Sequence, residues 1–109
     1  FKFHEVADKS SEEIVNLSRE LKIDIAIDLM GHTGGFENRI EIFMNKCAPI
    51  QINFLGYPGT SGTNKIEYIL ADKTVIQEYE KKFYSEKIIY LPNSYQPSEK
   101  NRFISNKKF

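Results

Sequence analysis

The chain has 109 residues with 15 basic and 15 acidic side chains. That length supports one hydrophobic core and excludes two domains of ordinary size, and a formal charge of zero removes the positive field that draws proteins to nucleic acid or anionic lipid. One cysteine, Cys47, excludes an internal disulfide and a multi-cysteine metal site and fits a reducing, cytoplasmic setting; no apolar run approaches the ~20 residues of a membrane helix, and no basic-then-apolar leader stands ahead of the domain.

The chain opens at Phe1 without an initiator methionine, in what reads as the end of a strand, so a piece of a longer polypeptide is expected. Ser10 and Glu13 have capping-box spacing and predict a helix whose apolar face is Ile14, Leu17 and Leu21. Residues 23–30 alternate but are rich in Ile, as in a mostly buried strand, and stop at Gly31-His32-Thr33-Gly34-Gly35. A second helix is expected from Asn38 to about Lys46, with Ile40, Phe43 and Met44 buried, before Pro49 forbids continuation. A strand from Ile50 to Phe54 runs into the loop Leu55-Gly56-Tyr57-Pro58-Gly59-Thr60-Ser61-Gly62. A third strand follows at Ile66 to Ala71, a helix at Thr74 to Phe83, and a fourth strand at Lys87 to Leu91, closed by Pro92. Strands alternating with helices over short connections predict an α/β fold, a Rossmann-like parallel sheet flanked by helices. The stretch beyond Pro97, with Lys100, Arg102, Lys107 and Lys108, reads as a solvated polar tail.

In a parallel sheet the two glycine-rich loops emerge at one edge, where together they would form a cleft wall. The second loop lacks the lysine of a P-loop and the glycine spacing of a dinucleotide fingerprint. Its glycines serve either a tight turn or a ligand, and its exposable N–H groups and the Thr60 and Ser61 hydroxyls suit a polyhydroxylated ligand. His32 reads as a general acid or base, as a hydrogen bond to sugar or peptide, or as a plain surface group. Asp28 is expected to satisfy loop N–H groups rather than orient His32, Cys47 to be a packed thiol, and Tyr57 to give buried support, with stacking on a ring or covering the loop as its other readings. Ser94, Tyr95 and Gln96 fall where they would extend the same cleft. No spacing matches a nucleophilic triad or a metal site.

Several strings occur in a distinctive order: Asp28-Leu29-Met30-Gly31-His32-Thr33, Ala48-Pro49-Ile50-Gln51, Leu55 through Gly62, Tyr84-Ser85-Glu86-Lys87, and Leu91-Pro92. From about Leu21 to Pro97 the chain resembles the catalytic region of the O-linked N-acetylglucosamine transferases, including their SPINDLY-like and bacterial members. The resemblance implies part of the N-terminal lobe of a GT-B glycosyltransferase over residues 1–97, with residues 98–109 leading toward a second lobe. It also implies transfer of N-acetylglucosamine from UDP-GlcNAc to serine or threonine hydroxyls of protein or peptide acceptors, with inversion, with no metal or other cofactor, and with no nucleic acid or membrane partner. Leu55, Gly56 and Pro58 match residues lining the donor-sugar pocket; His32 and Thr33 match the acceptor side, with His32 the one catalytic candidate. The resemblance puts the lysine facing the UDP diphosphate, the upstream histidine, the uridine pocket, the C-terminal lobe and the tetratricopeptide region outside these residues, so the piece alone is expected to be inactive. Lys46 and Cys47 depart from the arginine and proline of many members, residues 35–39 form a longer stretch than in animal members, and His32 stands where animal members carry tyrosine. A non-catalytic α/β module holding a small sugar or anion in the same loops is the other reading.

Overall fold

The computed structural model describes residues 2–35, 38–99 and 101; the basic tail positions Lys100, Arg102, Lys107 and Lys108 lie outside them, as does the middle of the 35–39 stretch. The first helix, α1 (Ser11–Glu20), starts on the expected capping box: Ser10 Oγ accepts from Glu13 N at 3.2 Å, and the Glu13 carboxylate accepts from Ser10 N at 2.8 Å. It ends in a left-handed Lys22, φ +53°, with Lys22 N donating to Arg19 O and Ile23 N to Ser18 O. This paired closure is the Schellman motif, at a position that favours glycine. The buried residue of α1 is Val15, not the expected Leu21, because the helix stops at Glu20 and leaves Leu21 exposed at its cap.

Four strands, β1 (Ile25–Asp28), β2 (Ile50–Asn53), β3 (Tyr68–Ala71) and β4 (Lys87–Tyr90), form one parallel sheet in the order β1-β2-β3-β4. Each is shorter than its apolar run. In register, Ile25 faces Ile50 and Asp28 faces Asn53, so one side of β1 and β2 carries Ala26, Asp28, Gln51 and Asn53 and the other Ile25, Ile27, Ile50 and Ile52. The first side is covered. On the second, Ile25, Ile27 and Ile50 are 51, 47 and 39 % exposed, joined by Ile89 on β4 at 39 %.

The second helix, α2 (Glu41–Met44), is only four residues long. Asn38 accepts from Ile40 N at the start, and a left-handed Lys46 ends it, φ +57°, with the Arg19 guanidinium donating to Asn45 O and Lys46 O. Gln51, wholly buried, ties this corner together. Its oxygen accepts from Cys47 N and Sγ while its amide nitrogen donates to Phe43 O and Lys65 O. Beyond β3 the expected helix from Thr74 shrinks to the 3-10 helix Glu78–Phe83. The Asp72 carboxylate accepts from Thr74 N and Val75 N at 2.8 and 2.9 Å and Ile76 N donates to Asp72 O, so Asp72 caps a single turn that is not continued before Glu78. Ile69, Ala71 and Ile76 form the core there, with Val75, Tyr84 and Ile88 against them.

Lys22→Gly should raise stability by about 0.5–1 kcal/mol, because the left-handed backbone costs a non-glycine residue about 1–2 kcal/mol and glycine's greater unfolded-state freedom offsets only part of that. The midpoint of urea unfolding, compared with wild type, measures it.

Candidate functional site

Both glycine loops leave the carboxyl edge of the sheet, from the neighbouring strands β1 and β2. Asp28, the last residue of β1, accepts from Met30 N at 2.9 Å and Gly31 N at 3.0 Å through one oxygen, the backbone role expected of it. Gly31 turns at φ +59°. Thr33 then closes the turn, with its hydroxyl and its N–H both directed at Met30 O, and Asn38 Nδ2 donates to Gly31 O and Thr33 O. The Thr33 proton is thus committed within the loop.

The second loop begins with strain. Gly56 N donates to Phe54 O across Leu55, whose φ is +73°, a γ-turn of the rare positive-φ kind. Gly56 follows in direct contact with the first loop: a Cβ there would stand 2.5 Å from Met30 Cα and O and 2.6 Å from Leu29 O. Only glycine allows this approach, so the two loops are docked backbone to backbone. Asn53, last in β2, donates to Tyr57 O and Gly59 O at 3.3 and 3.4 Å. Asp28 and Asn53 each keep one buried oxygen without a partner among the described residues, side by side in the register beneath the docked loops.

From Pro58 onward the loop is gripped by the segment that leads into β4. Tyr84 Oη donates to Pro58 O at 2.9 Å, and Ser85 N to Thr60 Oγ1 at 3.2 Å. Glu86, 5 % exposed, takes Ser61 N at 2.6 Å and the Ser61 hydroxyl on one oxygen, and Thr60 Oγ1 at 2.8 Å on the other. Burial alone would raise the Glu86 carboxyl, but the hydrogen bonds from Ser61 Oγ, Ser61 N and Thr60 Oγ1 together outweigh it and hold the group below its ordinary value of 4.5. Ser61 O in turn meets His32 Nε2 at 3.0 Å. The Tyr84-Ser85-Glu86 string has no assigned role in the sequence, where it stands only as one of the strings that carry the resemblance.

The structure thus brings His32 to Ser61 and sets it edge-on to Tyr57, with ring centroids 6.5 Å apart. Tyr57 is 46 % exposed and lies over Gly59, so it covers the loop and does not give buried support. His32, Thr33, Gly56, Tyr57 and Pro58 are all exposed, and Leu55 is half-buried. They make an open wall. One cavity of about 340 Å³ reaches this edge, lined by Asp28, Leu29, Met30 and Gly31 of the first loop with Arg39 and Phe43; others lie elsewhere, among them one of about 370 Å³ at the amino edge beside Lys22, Asp24 and Lys46 and one of about 400 Å³ at the ends of β3 and β4. Tyr95 N donates to Asp72 Oδ2, which ties the segment after β4 to the end of β3. Among the described residues no three metal-ligating side chains cluster, and no helix is long and apolar enough to cross a membrane.

A parallel α/β sheet with two docked glycine loops at its carboxyl edge belongs to the class of Rossmann-like folds that bind ligands there. A mutant of the O-GlcNAc transferase of Thermobaculum terrenum shares this fold, with a TM-score of 0.78 and 27 % identity over 84 % of this chain and 17 % of that one. Residues 7–107 match the model of Glycosyl transferase family 41, and the chain belongs to that family. It is 40 % identical over 93 residues to the probable UDP-N-acetylglucosamine–peptide N-acetylglucosaminyltransferase SEC of Arabidopsis thaliana, covering 85 % of this chain. It is 32 % identical over 84 residues to the probable transferase SPINDLY of Solanum lycopersicum, covering 77 %. The chain spans 9 % of the length of each of these relatives.

Two outcomes follow from the geometry. Gly56→Ala should cost about 1–3 kcal/mol by forcing the two loops apart, as overpacking does, and a lowered thermal midpoint checks it. Glu86 is depressed in the folded state, so its contribution is complete above the unfolded value near 4.5 and is lost as pH falls through the lower folded value. Hydrogen exchange at Ser61 N should therefore be well protected near neutral pH and lose protection, after correction for intrinsic rates, only below about pH 4.5.

Proposed function

We propose that this chain supplies the sugar-side wall of the cleft in an inverting, metal-independent transferase that moves N-acetylglucosamine from UDP-GlcNAc to serine or threonine hydroxyls of proteins. The observation that carries the reading is the docking of the Leu55–Pro58 segment on the Leu29–Thr33 loop through Gly56, which leaves an exposed, rigid edge in a chain that belongs to family 41. The names of the relatives support the donor and the peptide acceptor.

In this reading Leu55, Gly56 and Pro58 face the donor sugar, and His32 and Thr33 face the acceptor. The strained Leu55 turn and the Gly56 contact fix the loop before the ligand arrives, so little ordering remains to be done on binding. Gly56 acts there through close backbone approach. The residues that hold the uridine and neutralise the diphosphate belong to parts of the enzyme other than these 109 residues. The other partners are thus a second lobe and, for presenting proteins, a tetratricopeptide region of the same polypeptide.

Pro58 exposes its ring, and only its carbonyl is engaged internally. In the full-length protein, Pro58→Ala should raise KM for UDP-GlcNAc about five- to tenfold while stability changes by less than about 1 kcal/mol. Transfer should persist in the presence of a chelator, and the isolated 109-residue chain should show none. An unchanged donor KM in Pro58→Ala would remove the loop from the donor site.

A further inference from the structure

We propose that Glu86 is a positioning residue: its carboxylate pins Ser61 so that the Ser61 carbonyl holds His32 in the Nε2–H tautomer, leaving Nδ1 as the lone pair presented at the acceptor edge. This rests on the reading that the docked loops form the transferase cleft.

A carbonyl oxygen only accepts, so the 3.0 Å contact between His32 Nε2 and Ser61 O requires the proton on Nε2. In the neutral ring Nδ1 then carries the lone pair, and among the described residues it has no hydrogen-bond partner. His32 is exposed, and its own loop does not fix the ring; the fixed element is Ser61, 7 % exposed. Ser61 is held by Glu86, which takes both its N–H and its hydroxyl. An acceptor hydroxyl that donates to Nδ1 would be aligned by a chain of contacts whose anchor is a buried carboxylate on the far side of the loop.

Donors converge on both oxygens of the anchor. Thr60 Oγ1 accepts from Gly62 N and Ser85 N, so its lone pairs are occupied and its proton goes to Glu86 Oε2. On the other oxygen the donors are Ser61 N and Ser61 Oγ. A glutamine with its NH₂ toward Ser61 meets an N–H that cannot accept; turned the other way it meets the filled Thr60 oxygen and can donate only to the exposed Ser85 hydroxyl, which in the native site donates to Glu86 Oε2 at 3.2 Å. Glu86→Gln therefore keeps the shape but removes the charge and the acceptor of the Thr60 proton, which loosens the grip on the Thr60–Ser61 pair.

The test is a double-mutant cycle in the full-length protein, with UDP-GlcNAc and a peptide acceptor. Glu86→Gln should lower kcat about tenfold while KM for UDP-GlcNAc stays within about twofold, and the double variant with His32→Gln should be no slower than His32→Gln alone. Losses that multiply in the double variant would overturn the inference, because Glu86 would then act independently of His32. A fully active His32→Gln would instead remove His32 from the cleft, and the reading of the acceptor edge would fall together with the inference. Should Glu86→Gln not fold, Ser61→Ala, which removes only the hydroxyl held by the carboxylate, should give the same non-multiplying pattern with a smaller single loss.

Discussion

The β2–β3 connection carries no helix, and the rest of the structure depends on how that is made possible. Two neighbouring parallel strands need a long crossover, and a helix usually supplies it because a helix satisfies its own backbone. Here residues 54–67 return across the covered face in irregular conformation, with their polar groups met largely from outside. Asn53 donates to Tyr57 O and Gly59 O, Tyr84 to Pro58 O, and Gln51 to Lys65 O, while Glu86 accepts from Ser61 N. The buried polar side chains of the covered face are therefore the fasteners of a loop that would otherwise leave N–H and C=O groups unpaired. Freed from helical geometry, this loop can press Gly56 against the neighbouring loop and turn Tyr57 and Pro58 outward.

The same distribution of side chains explains what the sequence shows and what it hides. The capping box of α1, the four strands in order and the two strand-end loops are legible because local chemistry decides each: Ser10 and Glu13 cap, Ile-rich runs extend, and glycines and prolines stop them. The covering of the sheet is not legible. Residues 23–30 read as a mostly buried strand, yet Ile25 and Ile27 are 51 and 47 % exposed within these 109 residues. Which face receives cover follows from where the crossovers pass, a property of topology rather than of any strand.

The shortened helices and the role of Glu86 were hidden for a related reason. Apolar spacing marks Thr74 to Phe83 as helical, but the turn capped by Asp72 ends at once and the 3-10 helix starts afresh at Glu78 on the Gln77–Glu80 capping box. A glutamate just before an apolar strand normally reads as solvent-exposed. Glu86 is buried because donors from residues distant in sequence converge on it, and no period within the chain encodes that convergence. The strings themselves give the only trace: the Tyr84-Ser85-Glu86 residues and the Pro58–Ser61 residues are complementary donors and acceptors lying 25 or 26 positions apart.

Strain sorts the positions that serve the fold from those that serve the edge. Among the described residues three non-glycine positions have positive φ: Lys22, Lys46 and Leu55. The two lysines close helices, where a left-handed residue satisfies carbonyls that the helix leaves free, so their strain is compensated on the spot. Leu55 closes nothing of that kind. Its turn gains a single contact between Gly56 N and Phe54 O, and it stands next to the closest backbone approach between the loops and above two unpartnered buried oxygens on Asp28 and Asn53. Three breaches of local rules thus gather where β1 and β2 end, while the other strained residues have structural causes. A loop selected only for stability would relax such breaches, and their gathering here supports the reading of this edge as the wall of a cleft.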